Sequence, residues 1–156
     1  MPRIRHAARI LIFDPADRLL LLRFDYTTGP LARTGYWGVP GGGVEEGESL
    51  AAAAVRELSE ETGIQAERLE PTAAESSYPF RLSSGEEVTA ADHYFLLRLP
   101  KTPELSREGL TLEERENLTG SRWWMAAELR AGAKDIVPGD LPEILARTGI
   151  IDADSG

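Results

Sequence analysis

The sequence contains no cysteine among its 156 residues. This absence excludes disulfide bonds, zinc–thiolate sites and cysteine nucleophiles. A long hydrophobic run is also missing at the N-terminus, because Arg9 and Asp14 interrupt the apolar residues there. The N-terminal stretch therefore predicts neither a signal peptide nor a membrane span, and a cytoplasmic location is the expectation.

Positive charge is scarce as well. The chain has 17 Lys and Arg residues against 26 Asp and Glu residues, which gives a formal net charge of -9. Contacts with the phosphates of a long nucleic acid need many basic side chains, so this balance argues against such a partner. A small phosphorylated substrate is compatible with it if a metal ion supplies the local positive charge.

The remaining composition is that of an ordinary globular protein, with 42% hydrophobic and 28% charged residues. The length fits one domain of typical size. We therefore expect a single domain over residues 1–156, with a frayed tail at 151–156. No internal repeat or low-complexity segment divides it.

Short apolar runs predict several β-strands around one longer helix. The predicted strands cover residues 8–13, 19–22, 36–39, 75–80, 87–89, 93–99 and 122–125. Residues 24–35 are predicted as a loop, and 112–118 as a short helical turn. A final helix is predicted at 141–147, with Asp140 before it and Gly149 after it.

The clearest helical pattern begins after Ser49 and ends at Gly63, which suits a left-handed C-terminal cap. Four residues at positions i, i+4, i+7 and i+11 predict one packed face: Ala51, Val55, Leu58 and Thr62. Glu57, Glu60 and Glu61 share another arc, roughly 100° wide, which this pattern turns away from the packed face.

Three carboxylates on one helix face can be a solvated surface or a metal site. Like charges at i,i+4 disfavour an isolated helix by about 0.2–0.5 kcal/mol. They become favourable when a hard divalent cation bridges them, because Mg²⁺ prefers oxygen ligands. The carboxylates alone leave both interpretations open.

The spacing around this helix is more specific. Gly42 is followed after five residues by Glu48, and after seven more by Arg56-Glu57-Leu58-Ser59-Glu60-Glu61-Thr62-Gly63-Ile64. This pattern resembles the box of the Nudix hydrolase family at all nine defined positions. Trp37 to Gly42 also resembles the family's approach to the box, and Arg122-Trp123-Trp124 followed by Glu128-Leu129 resembles a late strand and helix start.

The resemblance implies a Nudix fold of the α/β class, an α/β/α sandwich around a mixed β-sheet. It implies Mg²⁺-dependent hydrolysis of a diphosphate linkage in a nucleoside diphosphate-X substrate, with Mn²⁺ as a substitute metal. It also implies a small nucleotide-like partner, and homodimers are common among related proteins.

The resemblance assigns a role to each box position. Glu57 and Glu61 become metal ligands, Glu60 a ligand or a partner of the ligands, and the Gly41 carbonyl a further ligand. Arg56 orients the carboxylates, and Glu48 pairs with Arg56. Structural alternatives are an ordinary Arg56–Glu60 surface pair and a favourable Glu48 charge near the helix N-terminus.

Diphosphate hydrolysis by water needs a metal ion and a general base. Metal ions neutralise phosphate oxygens and make bound water more acidic, and a carboxylate accepts the proton. In this family the base lies in the box helix or in a separate loop. Glu114 and Glu116 are the loop candidates, and an exposed acidic turn is the alternative for both.

The substrate is less constrained by the sequence. Arg23, Arg33 and Trp37 are candidate binding residues, and Tyr36, Tyr78 and Phe80 are aromatic residues that could stack on a base. Pro79 lies 15 residues after Ile64, as in some ADP-ribose-cleaving relatives, but Phe80 replaces the glycine that tends to follow. Nucleoside triphosphates, dinucleoside polyphosphates and nucleotide sugars stay open.

A second function class is a catalytically silent Nudix domain that senses or binds a nucleotide. The intact box argues against it, because binding alone does not need every acidic position. A panel of nucleoside diphosphate-X compounds with Mg²⁺ distinguishes the two.

Overall fold

A computed structural model of the chain describes residues 2–132 and 134–148. Within them the strands are β1 Arg3–Phe13, β2 Leu19–Tyr26, β3 Thr34–Gly38, β4 Gly41–Gly43, β5 Glu70–Arg81, β6 Glu87–Arg98, β7 Leu118–Trp124 and β8 Ile136–Val137. The helices are α1 Leu50–Thr62, α2 Leu112–Asn117, α3 Ala126–Arg130 and α4 Leu141–Arg147. Gly149 and the expected frayed tail at 151–156 lie outside the described residues, and the single domain over 1–156 stays a prediction.

The strands form one mixed sheet with β1 at its centre. The order is β5-β6-β1-β2-β3-β8, and β4 and β7 pair with β1 and β2 respectively. β1 runs parallel to β6 over its whole length, from the pair Arg3–Val88 to the pair Phe13–Arg98. It runs antiparallel to β2 and to β4. The mixed sheet implied by the box is thus confirmed.

The two faces of β1 pack against different helices because successive side chains of a strand point in opposite directions. Its even-numbered residues from Ala8 onward join a core cluster with α1, which contains Ala8, Ile10, Ile12, Ala53, Ala54 and Leu58. Its odd-numbered residues nearer the C-terminus join a second cluster with α3 and α4, which contains Leu11, Phe13, Leu129, Leu141, Ile144 and Leu145. The sheet therefore lies between two helical layers, which confirms the α/β/α sandwich.

The predicted box helix is confirmed at both ends. The Ser49 side chain accepts a hydrogen bond from the Ala52 N–H at 3.0 Å. Gly63 has a φ of 79° and donates its N–H to the Ser59 carbonyl.

The predicted packed face of this helix is wrong in part. Ala51 is exposed, whereas Glu57 and Glu61 are buried beside Leu58 and Thr62. The carboxylates turn inward because α1 packs on the glycine strand β4. A Cβ on Gly42 would lie 2.5 Å from the Glu57 Oε1 atom, so the missing side chain makes room for the carboxylate.

Several strands begin earlier than predicted: β1 begins at Arg3, β5 at Glu70 and β7 at Leu118. The loop predicted at 24–35 is shorter, because β2 extends to Tyr26 and pairs there with Thr34 of β3. The strands predicted at 87–89 and 93–99 are one continuous strand, β6, in which Asp92 is buried. A charged residue at a buried position interrupts the apolar pattern without interrupting the strand. In the described residues, no helix is long and apolar enough to cross a membrane.

Candidate active site

Three carboxylates from two helices meet at one edge of the sheet. Glu57 and Glu61 lie one turn apart on α1, and α2 brings Glu114 to them. One oxygen of each residue lies within 4.8 Å of the others. A set of carboxylate oxygens at this separation suits a hard divalent cation such as Mg²⁺. We call these three residues the carboxylate cluster.

Two members of the cluster are buried, which makes their ionised forms energetically costly. Glu57 is 8% exposed and Glu61 is 5% exposed. Burial raises the pKa of Glu61 well above its ordinary value, and the neighbouring Glu57 charge raises it further. Burial also raises the pKa of Glu57, although Arg56 opposes this effect. Two buried anions side by side are unfavourable without a counter-charge, and a bound cation would relieve that cost.

The backbone of Gly41 holds Glu61 in place. Its N–H donates a hydrogen bond to the Glu61 Oε1 atom at 2.6 Å. Gly41 has a φ of 142°, and a Cβ there would lie 2.0 Å from the Ala8 carbonyl oxygen, so only glycine fits. The Gly41 carbonyl, which the resemblance assigns to the metal, accepts a hydrogen bond from Arg9 at 3.0 Å.

Arg56 connects the loop before the helix to the carboxylates. It donates to both Glu48 oxygens, at 2.8 and 2.9 Å, and this pairing holds the pKa of Glu48 down to about 2. It also donates to Glu57 Oε1 at 2.9 Å and to Glu60 Oε2 at 3.3 Å. Glu60 is therefore paired with Arg56 and lies outside the carboxylate cluster.

The two loop candidates differ in position. Glu114 is half-buried within the carboxylate cluster, and its side chain accepts the Thr111 N–H at 2.9 Å in a capping box. Glu116 is exposed and outside the cluster. The short helix α2 thus brings only the first of them to the buried carboxylates.

A groove of about 280 Å³ opens beside Glu61. It is lined by two cations and four aromatic rings, namely Arg5, Arg9, Phe24, Tyr26, Tyr36 and Phe80. Tyr36 stacks on Phe24 with ring centroids 5.3 Å apart, and Phe80 meets Tyr36 edge-on at 5.9 Å. Of the predicted stacking residues, Tyr36 and Phe80 line this groove.

Sequence reasoning missed Arg5 and Arg9. Both are odd-numbered residues of β1, on the face opposite α1. The predicted strand begins at residue 8 and so leaves out Arg5. The available signal was the period-two spacing of Arg3, Arg5 and Arg9, which places them on one face of an extended strand. A row of arginines on one strand face predicts an anionic neighbour or ligand.

Arg9 lies in a buried polar network. Its Nε atom is 3.4 Å from the Asp92 Oδ1 atom, and it donates to the carbonyls of Val39 and Gly41 at 3.2 and 3.0 Å. The Tyr78 hydroxyl donates to the other Asp92 oxygen at 2.5 Å. Burial alone would lower the pKa of Arg9, but the charge of Asp92, together with smaller contributions from Tyr78, Tyr36 and Glu61, outweighs burial and raises that pKa.

The three predicted substrate contacts lie away from this groove. Arg23 and Arg33 line a separate open depression of about 500 Å³. Arg23 is paired with Asp25, with Nη2 and Oδ1 2.9 Å apart. Trp37 packs edge-on against Trp124, with centroids 5.4 Å apart, at the margin of the second core cluster.

Known proteins share both the sequence pattern and the fold. The family model of the NUDIX domain matches residues 3–146. An RNA pyrophosphohydrolase of Erythrobacter litoralis is 37% identical over 78 residues, which cover 44% of this chain and 47% of that protein. A Xenopus laevis m7GpppN-mRNA hydrolase is 36% identical over 107 residues, which cover 65% of this chain and 34% of that protein. The chain thus spans less than half the length of these relatives.

The fold has close counterparts among solved structures. The crystal structure of a MutT protein from Methanosarcina mazei Go1 superposes with a TM-score of 0.66 at 22% identity, covering 96% of this chain and 95% of that one. The mixed sheet between helices is therefore the architecture of that structure too. Since the family model covers nearly the whole described chain, and the box stands within it, the chain belongs to the Nudix family.

Proposed function

We propose that the chain hydrolyses a diphosphate linkage in a nucleoside diphosphate-X substrate, with water attacking at phosphorus in the presence of a divalent cation. The observation that carries this proposal is the carboxylate cluster, in which buried Glu57 and Glu61 meet Glu114 beside a groove with arginines and aromatic rings. Carboxylates can bind a metal ion, arginines can bind phosphates, and aromatic rings can stack on a nucleobase.

The cluster would hold Mg²⁺, or Mn²⁺ in its place, through Glu57 and Glu61, with Glu114 beside them. When bound, the cation supplies positive charge to the phosphate oxygens and makes attacking water more acidic. Other groups of the chain hold these carboxylates in position. Arg56 fixes Glu57 through a 2.9 Å hydrogen bond, and the Gly41 N–H fixes Glu61.

The remaining requirement is a base for the attacking water. Glu114 is the better candidate, because it faces the cluster and is less buried than the two helix carboxylates, whereas Glu116 points to solvent. The water proton passes to this carboxylate as the oxygen–phosphorus bond forms. The electron pair of the broken bridging bond leaves with the second phosphate, which gives two phosphate-bearing products.

The names of the relatives support the reaction class, since one is a pyrophosphohydrolase and the other a hydrolase. Both names specify RNA, so our expectation that long nucleic acid is not a partner stays a prediction. Cytoplasmic location and a homodimer stay predictions as well.

The test is phosphate release, with phosphatase added, from a panel of nucleoside triphosphates, dinucleoside polyphosphates and nucleotide sugars. We expect turnover of at least one compound with Mg²⁺ or Mn²⁺, none with chelator, and a strong loss of kcat in Glu61→Gln. Tight nucleotide binding without turnover across the panel would instead support the nucleotide-sensor alternative. Unchanged turnover in Glu61→Gln would contradict the metal assignment.

A further inference from the structure

Arg5 is the groove residue whose charge is left without a partner. Its guanidinium lies half-buried against β4, where a Cβ on Gly43 would come within 2.8 Å of its Nη2 atom. Among the described residues it makes no ion pair and no side-chain hydrogen bond. Burial and the like charge of Arg9 both lower the pKa of Arg5. The charges of Glu57 and Asp92 oppose this effect, but neither forms an ion pair with Arg5.

Neighbouring arginines are all paired. On the same strand, Arg3 bonds to Glu86 at 3.0 Å, and Arg9 pairs with Asp92. Arg56, on the helix, bonds to Glu48. A guanidinium has five N–H donors and pairs well with phosphate in a bidentate fashion. An unpaired one in a groove with a carboxylate cluster at its edge is placed for an anion that arrives with the substrate.

The position of that anion follows from the layout of the groove. The cluster borders the groove at Glu61 and, on the proposed function, takes the diphosphate that is cleaved. The charge of Arg9 is already paired with Asp92, and its Nη1 atom donates to two carbonyls, so its charge is less available to a ligand than that of Arg5. Arg5 is then the unpaired cation of the groove. When both phosphates of a nucleotide sugar are held at the cluster, no further phosphate is left to pair with Arg5.

We propose that Arg5 binds a third phosphate of the substrate, so that the groove selects a nucleoside with a chain of at least three phosphates. This inference rests on the proposed function and names the substrate class of the same site. Two sources carry that chemistry, namely a nucleoside triphosphate and a dinucleoside polyphosphate.

The experiment measures binding without turnover. The probes are a nucleoside triphosphate in which methylene groups replace both bridging oxygens of the triphosphate, and the matching diphosphate with one methylene bridge. Calorimetry in Mg²⁺ gives both affinities for wild type, Arg5→Gln and Arg3→Gln. The last is a matched control, since it removes the same charge from the same strand face outside the groove.

We expect wild type to bind the triphosphate analogue more tightly than the diphosphate analogue. Arg5→Gln should weaken the triphosphate roughly tenfold to a hundredfold, as for a lost charge-assisted hydrogen bond, and leave the diphosphate unchanged. Arg3→Gln should alter neither. Gly43→Ala, which keeps the charge but displaces the guanidinium, should weaken the triphosphate in the same selective way. Equal weakening of both probes by Arg5→Gln, or no weakening, would overturn the proposal.

Measurements of turnover test the proposed function independently of the Arg5 assignment. If wild type cleaves a nucleoside diphosphate sugar but no triphosphate or dinucleoside tetraphosphate, the Arg5 assignment fails and the proposed function stands. If wild type cleaves nothing, the proposed function fails, and the binding data still decide on Arg5. The ratio of kcat/KM for the triphosphate and the dinucleoside tetraphosphate shows which of these two substrate classes supplies the third phosphate.

Discussion

Arg9 and Asp92 form a buried ion pair beneath the groove, with Nε and Oδ1 3.4 Å apart and the Asp92 side chain 1% exposed. The pair joins strands that are far apart in sequence but parallel neighbours in the sheet. Through the Gly41 carbonyl and N–H it is connected to Glu61. A residue far from the cluster thereby supports the geometry of one of its carboxylates.

We predict that Asp92→Asn is strongly destabilised, because it leaves the Arg9 charge buried without its counter-charge. Breaking such a pair typically costs about 3–5 kcal/mol. Denaturant unfolding measures the loss. Asp17→Asn is the control, since Asp17 pairs with Arg98 on the surface at 72% exposure and should change stability by less than about 1 kcal/mol. Similar stability of the two variants would contradict the prediction.

The stability of the metal-free protein should depend on Glu61 and pH. Its pKa is raised in the folded state, so the folded form binds the proton more tightly than the unfolded form. The free energy of unfolding in chelator therefore falls as pH rises from about 4.5 through the raised pKa. Glu61→Gln removes this loss.

Melting curves in chelator from pH 4 to pH 8 measure the effect. At pH 8 we expect Glu61→Gln to melt at a higher temperature than wild type, and at pH 4 the two proteins should melt at nearly the same temperature. A difference in the free energy of unfolding above about 1 kcal/mol would shift the melting temperature by several degrees. A wild type that gains stability over Glu61→Gln as pH rises would have the opposite sign and would refute this account.

The two candidate bases should respond differently to amide substitution. Glu114→Gln is expected to lower kcat by about a hundredfold or more, as for a lost general base, while glutamine at this position still completes the capping box. Glu116→Gln should stay within about twofold of wild type, since its side chain is exposed. Steady-state kinetics on the best substrate measure both, and equal kcat values would return the role to the box helix.

Gly42 should tolerate no side chain if Glu57 needs its present position. A Cβ there would meet the Glu57 carboxylate carbon at 2.7 Å and Oε1 at 2.5 Å, so Gly42→Ala pushes the carboxylate aside. A shift of about 1 Å can cost roughly a hundredfold in rate. We expect that loss in kcat with a wild-type circular dichroism spectrum, whereas Gly139→Ala, which meets nothing within 4 Å, should be neutral.

The sequence predicted what depends on local spacing. The ends of α1 at Ser49 and Gly63 follow from the local pattern of one segment, and the resemblance to the Nudix box implied the pairing of Glu48 with Arg56. Burial of Glu57 and Glu61 did not follow, because hydrophobic periodicity treats every charged residue as exposed and ignores the space that a glycine strand provides.

Long-range pairing explains the other omissions. Asp92 meets Arg9 because β6 lies beside β1 in parallel register, which no local pattern specifies. Glu114 enters the cluster because α2 packs near β2 and β7. Residue type favours Arg23, Arg33 and Trp37 as substrate contacts, but the sheet places them away from the groove.

The alternation of side-chain direction along β1 separates residues that stabilise the fold from a residue that lines the groove. Ala8, Ile10 and Ile12 support α1 and hence the fold, whereas Arg5 lines the groove and is absent from both core clusters. Replacing Arg5 by other polar amino acids should therefore change which charge pattern the groove accepts at little loss of folding. Position 5 is a place from which substrate preference could drift, or be engineered, independently of stability.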